Sequence, residues 1–497
     1  MLGNWRNHSE YCDFVLKKLN CISKINPHSL YEYETEISKL YILNLDKLKK
    51  IIAPLYSSTG RPSDFQPEIF RSFVLMNSLK IPLDSWVAKL KHNPVLQAAI
   101  GVTEDNIPCV SSHYDFINRL IDIDERPRVK VKRRKPTKKI GKNVKMPNKH
   151  QNIVARLVDK ILCGRSFTKR PEKTLQTIFA RVAVDASVLL GIVPKNLDIS
   201  GDGTCIKTGA SSYGVNICDC KSKGIYNCDC GRKFSDPNAT WGWDSSKEQY
   251  FYGYTGYFLS TYSSELKADI PLYLRLVDAK RNDSVTAVVA LNEFKELYPN
   301  LKMDTFIHDA ACDNYATYEL LYKWNINAVI GLNSTNKGNF TYPKSLSVNE
   351  NGIAICPGGN PMIHWGFCGT DRCRIKYRCP LACGKIQSCE NKCNCSTSAY
   401  GRTIYVKPKW DLRLFTKIPR GSVSWKEKMN SRTSIERLNN RILNHYGIEN
   451  SKVRGKKRIS FLTMLAGFNI HLDIQLSLLK SQGLFNFNQF FNTVCAA

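Results

Sequence analysis

The sequence predicts an α/β protein. A mixed β-sheet core with flanking helices is preceded by a helical N-terminal domain and interrupted by cysteine-rich insertions. Three observations lead there. From residue 197 onward, short apolar strand patterns alternate with helical ones in the order strand, strand, strand, helix, strand, helix, strand. Before residue 125, apolar residues recur at three- and four-residue spacing instead. Most of the 19 cysteines fall into two clusters, both in hydrophilic stretches.

Taken in order, residues 35–43, 67–76 and 83–90 carry helical stripes, and Ser111 reads as the N-cap of a further helix through Leu120. These make up a helical domain over 1–125. Residues 126–150 read as a basic linker, with 12 Lys or Arg among residues 126–149. Lys132, Arg133, Arg134, Lys135, Lys138 and Lys139 are its densest part, suited to following phosphates as well as to simple solvation. Helical periodicity returns at Ile153, Leu157 and Ile161, and again at Leu175, Ile178, Phe179 and Val182.

The first strand, 197–206, holds Asp202 between Gly201 and Gly203. Two glycines let a bulky group come close, although Asp-Gly is also a common turn pair. A cysteine-rich insertion over 214–236 follows. Strands at 250–261 and 270–277 come next, and then a helix capped by Asp283 or Ser284 that carries Val285, Val288, Val289 and Leu297. The fourth strand, 303–308, ends at Asp309, and Asp313 caps the next helix before a fifth strand at 328–331. Residues 332–410 form a second insertion, too long to lack strands or metal of its own. The core resumes over 411–480, so it comprises 151–331 and 411–480. One of its helices carries Glu436, with Ile435, Leu438 and Ile442 on one face and a C-cap near Gly447; another spans 461–470.

The formal net charge of +29 points to a polyanionic partner, most simply nucleic acid. No run of 18 apolar residues suggests a membrane span, and the first residues lack the apolar centre of a signal peptide. The chain is expected to be cytoplasmic, with no membrane partner.

Asp202 and Asp309 become neighbours if the first and fourth strands pair, and Glu436 can reach them from a helix across the sheet. Asp309 also reads as a helix-capping residue, with Asp304 and Asp313 as the alternative ligands, and His308 reads as strand packing. Arg432, one helical turn before Glu436, can pair with it or grip a phosphate. Asp-Gly-Thr at 202–204, strand-Asp-Ala at 309–310 and Arg-x3-Glu at 432–436 resemble the Asp-Asp-Glu transposases of bacterial insertion sequences, over roughly residues 60–475.

With the element order, this resemblance implies an RNase H-like core. It also implies a site in which Asp202, Asp309 and Glu436 hold two magnesium (or manganese) ions. The implied activity is cleavage of double-stranded DNA at element ends, with transfer of the freed 3′-hydroxyl to target DNA. A homodimer in a synaptic complex, DNA contact by the N-terminal helices and association with the nucleoid follow from the same likeness. The family signature has Tyr three residues before the arginine and Lys seven after the glutamate. Here these are Met429 and Leu443, with Arg437 and Arg441 as substitute charges. The competing readings are a DNA-binding protein that no longer cuts and a nuclease without strand transfer.

Cys218-x-Cys220 and Cys228-x-Cys230 are separated by seven residues, so a hairpin would gather four thiolates for one structural zinc. Cys368, Cys373, Cys379, Cys383, Cys389, Cys393 and Cys395, with Cys356 and His364 upstream, suffice for two zinc sites of open pairing. Free thiols and disulfides are the alternatives.

Overall fold

The computed structural model describes residues 1–26, 28–131, 152–165, 170–333, 342–369, 371–390, 395–449 and 451–492. The chain opens with helices that include α1 (His8–Ile25), α2 (Gln66–Ser78), α3 (Leu83–Lys91) and α4 (Val110–Leu120). Asn7 caps α1 through a reciprocal bond pair with Glu10. The expected serine cap at 111 is displaced: α4 starts at Val110 after Cys109, without a side-chain cap bond. Helix α5 (Ile153–Leu162) follows, burying Val154, Val158 and Ile161.

The central sheet contains β1 (Asn196–Lys207), β2 (Thr240–Asp244), β3 (Gln249–Ser263), β4 (Ala268–Asp278), β5 (Lys302–His308) and β6 (Asn327–Ile330). β3 is antiparallel to β1, and its other edge pairs with β2 near its start and β4 beyond. On the far side of β1, β5 and β6 run parallel to it. The spatial order is therefore β4, β3, β1, β5, β6, a mixed sheet. β2 was not expected; it arises between the 214–236 insertion and the strand expected at 250–261, where Trp241 and Trp243 alternate with Gly242.

Helices α6 (Asp283–Leu297) and α7 (Tyr315–Lys323) follow β4 and β5. Their caps correct the reading by one residue. Asn282 accepts from the Ser284 amide and Asn314 from the Ala316 amide, so neither Asp283 nor Asp313 is the N-cap. Asparagine competes equally for that place, so sequence alone does not separate them. Buried Glu293 fastens α6 to β4 through Tyr273 and Arg275.

The second insertion builds its own antiparallel sheet of β7 (Ile363–Cys368), β8 (Arg374–Arg378) and β9 (Thr403–Val406). Its small core includes Ala354, Met362, Ile375, Tyr377, Val406 and Phe415.

Helix α8 (Thr433–Asn440) carries Glu436 and is extended by a wider π turn, Arg441–His445; Gly447 follows at φ +69°. Helix α9 (Lys456–Ser481) is much longer than its apolar stretch suggested. By length and composition it could cross a membrane, yet 72% of that window is buried within the protein. Phe468 and Phe461 meet Phe70 and Phe73 of α2 at 5.2 and 4.7 Å, and Gly467 abuts Leu274 of β4. The N-terminal helices and the sheet thus share one hydrophobic core.

Within that core His471 is fully buried. Its Nε2 donates to the Pro271 carbonyl at 2.7 Å, and its Nδ1 accepts from Ser187 at 2.8 Å. Burial lowers its pKa from 6.5 to about 4. The unfolded chain therefore binds the extra proton first. The stabilisation from neutral His471 is complete above pH 6.5 and is lost as pH falls toward 4, by about 3 kcal/mol in all. Urea unfolding across that range should show the decline, and His471→Asn should flatten it.

Candidate functional site

Asp202 lies inside β1, not in a turn. The pairing of β1 with β5 is recorded up to Ser200 opposite Ile307. Asp202 and Asp309 each lie two residues further, Asp202 still within β1 and Asp309 just past the end of β5, where it caps the short turn Ala310–Cys312 through the Ala311 amide. Neither flanking glycine has positive φ; both are needed for space. A Cβ on Gly201 would come within 2.6 Å of the Tyr257 hydroxyl, and one on Gly203 within 2.3 Å of Asp283 Oδ1. The carboxylate of Asp283, in the first turn of α6, therefore rests against the strand beside Asp202.

Helix α8 packs across the sheet, with Ser434 Oγ 3.4 Å from Ser260 Oγ. Asn439, one turn after Glu436, donates from Nδ2 to Asp202 Oδ2 at 2.9 Å. Arg432 donates to Glu436 Oε1 at 2.6 Å. The same guanidinium lowers the pKa of both Asp202 and Asp309, so it lies within electrostatic reach of all three acids. Glu436 is half exposed. Arg437 and Arg441 are committed elsewhere, to Asp269 and Asp473.

Burial pushes the Asp202 carboxyl up to about 6; Asp283 and Asp309 add to the rise, while His308 and Arg432 oppose it. Asp283 is raised by burial and by Asp309. Asp309 goes the other way. Burial, the largest single influence, would raise it, but His308 donating from Nδ1 to Oδ1 at 2.7 Å, its charge, the Ala311 amide and Arg432 together lower it. Burial alone would lower His308, yet Cys312 and Asp309 hold it well above its ordinary value. His308 is fully buried and stacked on Tyr257. It packs in the strand, as expected, and it also orients Asp309.

The alternative acids are used otherwise. Asp313 is buried and forms a bidentate pair with Arg413. Asp304 sits near the start of β5 beside Thr305 and Asn327.

The acids offer only oxygen, the donor magnesium prefers. Oδ1 of Asp202, Oδ2 of Asp309 and Oε2 of Glu436 make no hydrogen bond among the described residues. Three of these acids do not, however, share ligand atoms within 4.8 Å; among the described residues only one group of potential metal ligands does.

That group is Cys218, Cys220, Cys228 and Cys230. The paired strands Val215–Asn216 and Arg232–Lys233 form the neck of a hairpin. It sets Cys218 Sγ 3.6 Å from Cys228 Sγ and Cys220 Sγ 3.6 Å from Cys230 Sγ. Sulfurs about 2.3 Å from a tetrahedral zinc are about 3.8 Å apart, so these thiols are spaced for a metal and not for disulfides. Bonds from the Cys220 backbone and Cys228 draw the Cys218 thiol down to about 7, while its neighbours push Cys220 up to about 12 and Cys230 above its ordinary value, so one thiol of the group ionises first. The group could hold a metal such as zinc. Purified protein should release one zinc equivalent from it on thiol modification, and Cys218→Ser with Cys228→Ser should remove that equivalent.

The second cluster is looser. Cys379, Cys389 and Cys395 line a cleft of about 360 Å³ with Cys356, whereas Cys368 lies at the end of β7 and Cys373 beside Tyr322. Cys383 follows Cys379 in one turn. Cys393 lies outside the described residues, as do Lys132, Arg133, Arg134, Lys135, Lys138 and Lys139.

Two site residues were missed. Asn439 was open to discovery, because it shares a helical face with Glu436. Asp283 looked like a cap and gave no local sign of its second position. No protein-family model and no curated protein matches the chain.

Proposed function

We propose that the chain is a transposase. It would cut strands of double-stranded DNA at the ends of its own element and join the freed 3′-hydroxyl to target DNA, on an RNase H-like core. The observation that carries this reading is the Asn439 bond to Asp202, which ties the helix bearing Glu436 and its partner Arg432 to the strand whose parallel neighbour leads into Asp309, three acids far apart in the chain. The strand order β4, β3, β1, β5, β6, with only β3 antiparallel to both its long neighbours, supports the core assignment. The charge of +29 supports a DNA substrate, and a nucleoid location accords with it.

Asp202, Asp309 and Glu436 would hold magnesium or manganese, with Asp283 adjacent. Such ions supply stabilisation of charge on the attacking and leaving oxygens. The chain's own groups prepare the site. Asn439 fixes one oxygen of Asp202, His308 fixes one oxygen of Asp309, and Arg432 offsets the repulsion among the carboxylates. Two ends must be held together for transfer, so a homodimer is part of the proposal.

The test is magnesium-dependent nicking and joining of DNA that carries the inverted repeats flanking the gene. Wild-type activity in Asp202→Asn would reject the site. A second reading, a DNA-binding protein that no longer cuts, draws on the spacing of the acids beyond 4.8 Å. DNA binding without nicking under any divalent ion would favour it. Nicking without joining of a pre-cut 3′ end would favour a plain nuclease.

A further inference from the structure

The β2–β3 hairpin carries an aromatic ladder on its outer side. Trp241 pairs across the strands with Tyr252, and Trp243 with Tyr250. Their ring centroids are 5.6 and 4.9 Å apart, tilted by 56° and 70°. Such cross-strand pairs stiffen a hairpin, which explains why the rings meet. It does not explain their exposure: Trp241 is 47% exposed, Trp243 53% and Tyr250 70%. The opposite side of β2 is closed, since a Cβ on Gly242 would meet the Ala279 carbonyl at 2.6 Å. β2 is also the outer strand at this end of the sheet. A contiguous apolar patch of this kind marks a place where something binds.

Its surroundings indicate what. Thr208 donates its amide to the Tyr252 carbonyl, and Gly209 donates to the Val453 carbonyl at 3.0 Å, so residues 452–454 lie one strand beyond 208–209, on the side of β3 away from β2. Arg454 Nε bonds the Gly209 carbonyl, and Lys247 in the hairpin turn pairs with Glu449. Lys452 and Arg454 are exposed and have no ion pair among the described residues. Exposed rings together with unneutralised cations fit stacked bases with phosphates alongside.

The patch also faces the right way. Asp202 is paired with Phe258 on β3, and Tyr252 and Tyr250 share the face of Phe258 by alternation. At about 3.3 Å per residue they lie roughly 20 and 26 Å along the strand from the acid.

We infer that Trp241, Trp243 and Tyr250, with Lys452 and Arg454 on the adjoining segment past residues 208–209, form a stacking surface for unpaired bases of single-stranded DNA on the same sheet face as Asp202. The inference rests on reading the chain as a DNA enzyme. It concerns binding alone, so it is tested with the full chain in EDTA, where no cleavage occurs.

The probes are a 12-nucleotide oligo(dT) and a 12-base-pair duplex, followed by tryptophan quenching and anisotropy. Oligo(dT) should quench the wild type. Trp241→Ala with Trp243→Ala should weaken oligo(dT) binding roughly tenfold per ring while duplex binding holds. Trp241→Phe with Trp243→Phe should retain most of the affinity. Tyr250→Ala, at the most exposed ring, serves should the double alanine variant not fold, and should show the single-ring loss. Because binding is read in EDTA, its outcome stands apart from any failure of the cleavage reading. Unchanged oligo(dT) affinity in a folded variant would overturn the inference, as would equal losses for both probes. A shift from dimer to monomer in sedimentation without a DNA effect would assign the patch to a second copy of the chain instead.

Discussion

Asp202→Asn should reduce magnesium-dependent strand cleavage by about 10³-fold or more, a loss of about 4 kcal/mol of transition-state stabilisation. The same change should leave the unfolding midpoint unchanged or higher. The buried Asp202 carboxyl has its pKa raised from 3.8 to about 6. A carboxyl raised on folding costs stability as pH climbs from the lower value to the higher, up to about 3 kcal/mol above pH 6 in protein without metal. A neutral amide escapes that cost and can still accept from Asn439. Lost cleavage together with retained or increased stability at pH 8 separates a chemical role from a folding role. A coincident loss of both would place Asp202 among structural residues.

Asp313→Ala should do the reverse. Arg413 donates to Asp313 from Nε at 2.8 Å and from Nη2 at 2.7 Å, and the two side chains are 9% and 0% exposed. Tyr318 and the Asn333 amide also donate to the carboxylate. Removing the acid leaves a buried guanidinium uncompensated, at a cost of about 3–5 kcal/mol. Denaturant unfolding should register it, and Arg413→Met in the same chain should recover part of it. Cleavage by the folded fraction should persist. Full stability with lost cleavage would instead make Asp313 part of the chemistry.

The strands were legible because their residues are β-branched or aromatic and bounded by turns. β1, β3, β4, β5 and β6 each lie within two residues of their expected limits. β2 was hidden by a glycine between two tryptophans and by its polar surroundings. Asp202 and Asp309 stood out because each sits on or at the end of an apolar strand. The four-cysteine hairpin was readable because two Cys-x-Cys pairs face each other across a short loop.

Spacing alone determined the alternation of strands and helices, the turn that places Arg432 beside Glu436, and the gathering of Cys218, Cys220, Cys228 and Cys230. All of these are contacts between residues close in the chain, where backbone period fixes distance. Only the tertiary structure decided that Asp283 enters the space left by Gly203, that Asn439 holds Asp202, that Asp313 belongs to Arg413, and that α9 extends over Lys456–Ser481. These depend on which elements meet across the sheet. That choice is made by burial of whole faces, which no local pattern records.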